Sequence, residues 1–297
     1  MTLTSSHYLS GIKSLGLDDS ALEAGIAGQD GVFCIDAGGR ARGYVANSVW
    51  DADVLNRKTW TVQSLFWDRD AEAVSQLQSI AKHLYKHAKD NHVRFMTVRF
   101  GADQLDAVQV FEAAGWRLVD TLVVFQSQNT SGTGEVTHDV RDINRNDATE
   151  VCNIVSDSFS QGRIQADIHF EEEIKSTFYA RMAQSMLDKI VNADDLLARG
   201  VVGDEGLLGF YLSEKDTLVS SVLGRRYGYL SLIATHPKWR HQGIGRKLLT
   251  DFLDKSRDLF DVTEISTQLS NSPALALYAN MGIPMCGGIY SMHLHLD

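Results

Sequence analysis

The sequence predicts a mixed α/β (α+β) protein that consists of two domains of one fold. The chain has 297 residues, which is enough for two domains of about 150 residues each. Apolar patterns typical of strands alternate with patterns typical of helices, so we expect sheets that are flanked by helices. Between the halves, residues 129–135 include no large apolar side chain, and this segment predicts a linker.

The spacing of apolar residues predicts the individual elements. Before the linker, it predicts strands over 93–98 and 118–125 and, between them, a helix over 107–114. After the linker, it predicts helices over 147–159, 170–191 and 273–281, and a further helix from residue 243. The strands predicted in this half cover 198–202, 207–212, 229–235, 262–269 and 288–296.

A weak internal repeat favours two copies of one fold. Ile265 lies 167 positions after Val98, and Tyr278 lies 167 positions after Phe111. Each copy shows the order strand, loop, helix, glycine, strand, although chance similarity between two αβ units is the alternative explanation.

Composition and charge exclude several classes of protein. The net charge of −10 argues against broad binding of nucleic acid. No apolar run reaches the roughly 18 residues of a membrane span, and the N-terminus lacks a leader pattern. Three widely spaced cysteines form neither a disulfide framework nor a metal site. We therefore expect a cytoplasmic protein, a monomer or homodimer, with no metal, nucleic-acid or membrane partner.

One stretch departs from the acidic balance of the chain. Residues 225–247 contain six Lys and Arg residues and no Asp or Glu, which favours an anionic ligand over a merely solvated basic face. Within this stretch, Arg240–Gly245 reads Arg-His-Gln-Gly-Ile-Gly and lies between a predicted strand and a predicted helix. Glycines allow close approach of a ligand, and the N–H groups of a first helical turn attract anions. The motif therefore predicts a pyrophosphate site.

The wider pattern resembles the GNAT superfamily of N-acetyltransferases. That family combines Arg/Gln-x-x-Gly-x-Gly at a helix start with a later Asn-x-x-Ala-x-x-x-Tyr and a glycine. This sequence matches at the following positions: Arg240, Gly243, Gly245, Asn271, Ala274, Tyr278 and Gly282. The resemblance implies tandem GNAT-like domains, each with a mixed, mostly antiparallel sheet. We expect a degenerate domain over 1–128, a linker over 129–137 and a catalytic domain over 138–297.

A closer resemblance concerns TDP-fucosamine N-acetyltransferase and its relatives. It rests on Arg163, Asp167 and Tyr179 in the second half, and on the segments 50–55 and 111–116 in the first. Met182 stands where that group usually has tryptophan, and the first half is longer here. The resemblance implies that Arg163, Asp167 and Tyr179 bind the acceptor. For Arg163 and Asp167, four positions apart, the alternative is a local ion pair.

The resemblance also implies roles for residues of the cofactor site. Acetyl-CoA would be held by the strand before the motif, by the motif and by two later residues: Leu232, Ile233, Ala234, Arg240, His241, Gln242, Gly243, Ile244, Gly245, Arg246, Asn271 and Tyr278. Tyr278 would protonate the leaving thiolate, since an ordinary tyrosine keeps its proton at neutral pH. The alternatives are a packing role for Tyr278 and helix capping by Asn271.

The general base remains open at the level of sequence. His236, Glu214 and His293 are candidates by residue type alone, and a chain of water molecules is the alternative. We predict an acetyl-CoA-dependent N-acetyltransferase that acts on a primary amine of a small polar acceptor, such as a nucleotide-linked amino sugar. The alternatives are an antibiotic or protein N-terminal acetyltransferase and a non-catalytic acyl-CoA sensor.

Overall fold

The computed structural model describes residues 3–5, 15–68, 70–128, 139–189 and 196–296. Contacts divide the chain into two compact units. The first consists of Met1–Val124 with Cys286–Asp297, and the second of Phe125–Met285. No helix in the described ranges combines the length and apolar character that a membrane span requires.

The secondary structure agrees with the predicted order of elements. The first part of the chain forms β1 (Leu3–Ser5), α1 (Asp19–Ala27), β2 (Val32–Asp36), β3 (Ala41–Asn47), α2 (Val49–Val54), β4 (Thr59–Asp68), α3 (Ala73–Asp90), β5 (Phe95–Gly101), α4 (Leu105–Ala113) and β6 (Arg117–Gln128). The rest forms β7 (Val140–Asp142), α5 (Ala148–Ser158), α6 (Arg163–Ala166), α7 (Glu172–Lys189), β8 (Leu196–Gly203), β9 (Gly206–Lys215), α8 (Thr217–Leu223), β10 (Tyr227–Thr235), α9 (Ile244–Leu259), β11 (Val262–Gln268), α10 (Ser272–Asn280) and β12 (Met285–His295).

The first unit contains a mixed sheet in the strand order β2-β3-β4-β5-β12-β6, and β1 pairs with β4. Strands β2, β3 and β4 are antiparallel to one another, whereas β4 and β5 are parallel. Helix α3 packs its apolar side, including Leu77, Ile80 and Leu84, into a core that also holds Trp67 and Trp116.

The second unit repeats this arrangement. Strands β7, β8, β9 and β10 form an antiparallel series, and β11 joins β10 in parallel. Helices α5 and α7 cover one face of the sheet with a core that includes Val151, Leu187, Phe210 and Leu212. Helix α9 lies on the other face, where its Phe252 packs edge-to-face against Tyr211 at 5.4 Å between ring centroids. The fold is therefore the predicted mixed α/β fold in tandem.

The internal repeat corresponds to equivalent elements of the two units. Phe111 lies on α4 and Tyr278 on α10, and each helix follows the strand that pairs in parallel within its unit. Gly115 and Gly282 follow these helices with φ angles of 92° and 71°. Only glycine adopts this left-handed conformation at no steric cost, so both copies keep glycine at the helix end.

The division into units differs from the predicted domains at the C-terminus. The sequence predicts that the last strand belongs to the second domain, but β12 pairs antiparallel with β5, from Ile289 opposite Gly101 to His295 opposite Phe95. Residues 286–297 therefore belong to the first unit. Pairing between strands almost 200 residues apart leaves no local pattern, so the sequence could not indicate it. The whole of the predicted linker, 129–137, lies outside the described residues.

A buried ionic network attaches α9 to the sheet of the second unit. Asp251, on the inner side of α9, accepts a hydrogen bond from Arg199 Nε at 2.7 Å and another from the Tyr211 hydroxyl at 2.8 Å. The Asp251 side chain is only 4% exposed and that of Arg199 13%. Burial and the adjacent Asp251 carboxylate raise the pKa of Tyr211, so its hydroxyl stays protonated and donates. The network fixes the orientation of α9 relative to β8 and β9.

We predict that the first unit needs β12 for its stability. Met292 is fully buried in the first core, so Met292→Ala should lower the free energy of unfolding by about 2–5 kcal/mol. Met285, at the start of the same strand, is 68% exposed, and Met285→Ala should change it by less than about 0.5 kcal/mol. Denaturant unfolding followed by tryptophan fluorescence measures both effects, and equal losses would contradict the assignment of β12 to this core.

A second prediction concerns the anchoring of α9. Asp251→Ala removes a buried carboxylate that accepts from both Arg199 and Tyr211, so it should cost about 3–5 kcal/mol of unfolding free energy. Asp254 lies on the same helix and pairs with Arg257 at 2.9 Å, but both side chains are about 30% exposed. Asp254→Ala should therefore cost at most about 1 kcal/mol. Circular dichroism during urea unfolding distinguishes the two, and a similar cost for both variants would refute the anchoring role.

Candidate functional site

The site begins where two parallel strands separate. β10 and β11 are in register only from Tyr227 opposite Val262 to Leu230 opposite Ile265. Beyond Leu230, β10 continues to Thr235 and pairs on its other side with β9. The register with β9 shifts between Leu230 and Leu232, which is a β-bulge at Ser231. The end of β10 therefore presents one edge to an open gap.

Alternation along β10 determines which backbone groups face this gap. His236 N–H donates to Leu208 O at 2.9 Å, so the groups of His236 face β9. In an antiparallel ladder every second residue does the same, which turns Leu232 and Ala234 toward β9 and Ile233 toward the gap. Of the three residues of this strand that the sequence predicted to hold acetyl-CoA, Ile233 alone aims its N–H at the gap. The side chains of Leu232 and Ala234 are buried in the core beneath α5 and α7.

The predicted glycine motif forms an uncapped helix start. Gly243 has a φ of 82° and precedes α9, and no side chain caps this helix. None of the N–H groups from Gly243 to Arg246 donates to another described residue, and the first helical bond runs from Lys247 N–H to Gly243 O. His241 and Gln242 are exposed in the turn before them. Free N–H groups and the positive end of the helix dipole make this turn suitable for an anion.

Arg240 lies beside the gap and not above the helix start. Its guanidinium donates to the backbone oxygen of Asp157 at 3.4 Å and to Ser158 Oγ at 3.2 Å, and its Nε approaches Thr235 O at 3.5 Å. It thereby connects the end of β10 to the C-terminus of α5, where carbonyl groups favour a cation.

The remaining cations of the basic stretch differ in their pairing. Carboxylates neutralise three of them: Lys238 pairs with Glu205, Lys247 with Asp139 and Arg226 with Asp261. Arg246 is exposed in the first turn of α9 and makes no ion pair or side-chain hydrogen bond with the described residues. The positive charge available at the motif is therefore that of Arg246 and of the helix start itself.

Asn271 caps α10. Its side-chain oxygen accepts from Ala274 N–H at 3.3 Å, and its amide donates to Thr267 Oγ1 at 3.1 Å. Pro273 in the first turn suits the same role. The capping interpretation that the sequence left open describes these contacts, while the half-buried side chain keeps one amide hydrogen for a further partner.

Tyr278 follows on the next turns of α10. Its ring is 3% exposed and packs edge-to-face on Phe125 at 5.3 Å. Its hydroxyl makes no hydrogen bond within the described part of the chain. Burial raises the pKa of Tyr278 above that of an ordinary phenol, so the group is protonated at neutral pH and has a proton to donate.

The residues predicted to bind the acceptor lie around α6 and α7. The Arg163 guanidinium stands 5.7 Å from the centre of the Phe178 ring, and Tyr179 packs against Phe159 at 4.8 Å. The Tyr179 hydroxyl lies so close to Gly162 that no Cβ could be accommodated at this position. Asp167 is buried and accepts from the backbone N–H of His169 at 2.9 Å and from its Nδ1 at 3.1 Å.

The three candidates for the general base have different surroundings. His236 caps its own turn, because its Nδ1 accepts from Lys238 N–H at 3.2 Å. His293 is fully buried in the first unit, edge-to-face on Phe95 at 4.8 Å. Glu214 accepts a hydrogen bond from Ser231 Oγ, the side chain of the bulge, at 3.1 Å. Sequence reasoning missed Ser231, since only the bulge distinguishes it from other strand residues.

Carboxylates stand at the corresponding helix start of the first unit. Asp70 accepts from Glu72 N–H at 2.8 Å and from Gln76 Nε2 at 3.0 Å, next to the first turn of α3. Arg40 pairs with both Asp70 and Glu72. Phe111, at the position equivalent to Tyr278, has no hydroxyl. Helix α3, like α9, has no side-chain cap, but the Asp70 and Glu72 carboxylates and the Arg40 guanidinium occupy this end of the first unit.

Comparison with known proteins is consistent with this geometry. The model of the acetyltransferase (GNAT) family matches residues 163–283. Among curated proteins, none matches the chain in sequence. A solved tandem GNAT protein from the clavulanic acid biosynthesis pathway is similar, with a TM-score of 0.55 and 11% identity, over 99% of this chain and 98% of that chain.

Two further solved structures are similar at the same level. One is a functionally unknown conserved protein from Staphylococcus epidermidis, with a TM-score of 0.56 and 14% identity, over 90% of this chain and 95% of that one. The other is a GCN5-related N-acetyltransferase from Sphaerobacter thermophilus, with a TM-score of 0.55 and 14% identity, over 99% of this chain and 96% of that one. Such identities show the fold alone. Residues 163–283 therefore match a model of the acetyltransferase (GNAT) family, and the chain as a whole has the fold of these solved structures, one of which is a tandem GNAT protein.

Proposed function

We propose that the second unit is an acetyl-CoA-dependent N-acetyltransferase that acylates a primary amine of a small polar molecule. The observation that carries the proposal is the uncapped start of α9 beside the open edge of β10. A pyrophosphate fits the free N–H groups of Gly243–Arg246, and an extended amide-containing arm fits an unpaired strand edge. Together they match the two chemical parts of acetyl-CoA.

The residues present suit acyl transfer at this place. Acetyl-CoA supplies a thioester carbonyl and a thiolate leaving group. Ile233 N–H, which faces the gap, is positioned to donate to the carbonyl oxygen as negative charge develops on it. Tyr278, protonated because burial raises its pKa, is the proton donor for the leaving sulfur. The second amide hydrogen of Asn271, which does not bond Thr267, is available to the amide-containing arm of acetyl-CoA.

A screen of amines for acetyl-CoA-dependent release of free thiol tests this function. We expect turnover with at least one class of small amine, and with none when acetyl-CoA is omitted. Binding of acetyl-CoA without turnover of any amine would favour the non-catalytic sensor. Turnover confined to aminoglycosides or to peptide N-termini would favour the antibiotic or protein N-terminal acetyltransferase.

For the acceptor we propose an amino sugar carried on a nucleotide diphosphate. Arg163 is half-buried and its guanidinium lies over the Phe178 ring, and a guanidinium is the cation whose planar shape matches a phosphate through two parallel hydrogen bonds. Tyr179 offers a hydroxyl near the glycine that precedes α6. Asp167 accepts two hydrogen bonds from His169, so its contribution is to fix the loop between α6 and α7.

The role of the α9 start leads to a charge-reversal prediction. Arg246→Glu puts a negative charge in the first turn, where the helix dipole favours it, so the stability should be kept or raised by up to about 1 kcal/mol. The same charge repels a pyrophosphate, and we expect at least about a tenfold loss of acetyl-CoA affinity in calorimetry. The control Arg257→Glu makes the same charge change in the last turn of α9 and should not alter the affinity. Equal acetyl-CoA affinities of the two variants would contradict the proposal that acetyl-CoA binds at the first turn of α9.

The proposed acid gives a kinetic prediction. Tyr278→Phe removes only the hydroxyl, so kcat should fall by roughly 10²–10⁴-fold while acetyl-CoA affinity is nearly unchanged. Tyr85→Phe, on an exposed part of α3, serves as the control and should leave kcat unaltered. Near-normal turnover of Tyr278→Phe would mean that water protonates the thiolate and that the tyrosine only packs.

The proposed acceptor gives a second kinetic prediction. With a nucleotide-linked amino sugar, Arg163→Ala should raise KM at least about tenfold, because a charge-assisted phosphate contact is lost. Arg163→Lys should restore little of it, since lysine cannot bind a phosphate through two parallel hydrogen bonds. Acetyl-CoA affinity, measured in parallel, should remain constant. Efficient acetylation of a peptide or free amino acid, together with no acetylation of nucleotide-linked amino sugars, would contradict the proposed acceptor.

A further inference from the structure

The bulge in β10 places a hydroxyl and a carboxylate together beside the gap. Ser231 is the extra residue between Leu230 and Leu232, which pair with neighbouring residues of β9. Its Oγ donates to Glu214 Oε1 at 3.1 Å. Glu214 lies on β9, opposite Tyr229, and both Ser231 and Glu214 are partly exposed. The pair is thus within reach of solvent and of a ligand.

The strand period shows which face of the sheet carries this pair. Phe210 and Leu212, on the same side of β9, are buried in the core beneath α5 and α7. Glu214 is two residues farther along β9, so its side chain points to the same face where that core ends. Tyr179, a predicted acceptor residue, packs against the same core from α7. The pair therefore belongs to the acceptor side of the second unit.

The distance along β10 is short enough for chemistry. Ser231 precedes Ile233 by two residues, which is about 7 Å of strand. If Ile233 N–H holds the thioester carbonyl, the attacking nitrogen of the acceptor comes from the acceptor side of the sheet. This is the side on which Ser231 and Glu214 lie. No other candidate for the base has this position, because His236 caps its turn and His293 is buried in the first unit.

We propose that Ser231 and Glu214 form the proton-accepting pair of the reaction; this rests on the proposed function. The acceptor enters as a free amine. As the C–N bond forms, one proton of the nitrogen passes to Ser231 Oγ, and the hydroxyl proton of Ser231 moves to the Glu214 carboxylate. The C–S bond then breaks with its electron pair on sulfur, which takes a proton from Tyr278. Solvent afterwards removes the proton from Glu214 and returns one to Tyr278.

Isosteric variants of the full chain test the pair. Glu214→Gln keeps an oxygen that accepts from Ser231 but cannot take a proton, so kcat should fall by roughly 10²–10⁴-fold with both KM values nearly unchanged. Ser231→Ala should also lower kcat, and Ser231→Thr, which keeps the hydroxyl, should restore most of it. In Glu214→Ala, added formate should recover part of the lost rate. Glu172→Gln, exposed on α7, is the control.

The outcomes separate this inference from the proposed function. A wild-type chain that turns over an amine, together with a Glu214→Gln variant of near-normal kcat, overturns the pair alone. A loss of rate in Glu214→Gln that formate does not relieve in Glu214→Ala, and that comes with a lower melting temperature, assigns the pair a structural role and also overturns it. A wild-type chain that turns over no amine overturns the proposed function and the pair with it.

Discussion

The candidate site depends on the point at which β10 and β11 stop pairing. Because the parallel ladder ends at Leu230, the rest of β10 keeps one edge without a strand beside it. A row of backbone groups without partners is costly in the interior of a protein, so such an edge either meets water or receives a ligand. The bulge at Ser231 lies at this same point. It sets the phase of the strand and so decides that Ile233 faces the gap.

The second constraint concerns helix α9, which follows β10 and must be held with its start exposed. Helix α9 has no side-chain cap at its start, and Asp251 anchors it to the sheet through Arg199 and Tyr211. The two units differ in the charged groups that stand at this helix start. In the first, Asp70 receives N–H donors next to α3 and Arg40 balances its charge. In the second, the start of α9 has no such group, so its positive end remains directed outward.

Much of the second unit could be predicted from the sequence, because its signals are local. The sequence predicted the start of α9 to within a residue, and apolar runs located β10 and β11. The glycine motif predicted the helix start for a physical reason, since Gly243 adopts a left-handed φ that other residues avoid.

What the sequence could not predict depends on contacts between distant residues. The pairing of β12 with β5 moves the end of the chain into the first unit. The contact of Ser231 with Glu214 requires both the pairing of β9 with β10 and the bulge. The register of β10 against β9 decides which backbone N–H groups face the gap. A shift of one residue would turn Ile233 toward β9 and both Leu232 and Ala234 toward the gap.

We infer that, among the described residues, only those of the second unit form a place for the acyl donor. Isothermal titration of the full chain with acetyl-CoA tests it most directly through the stoichiometry. The account predicts one acetyl-CoA per chain, because carboxylates and Arg40 fill the corresponding helix start of the first unit. Two molecules per chain, or none, would contradict it.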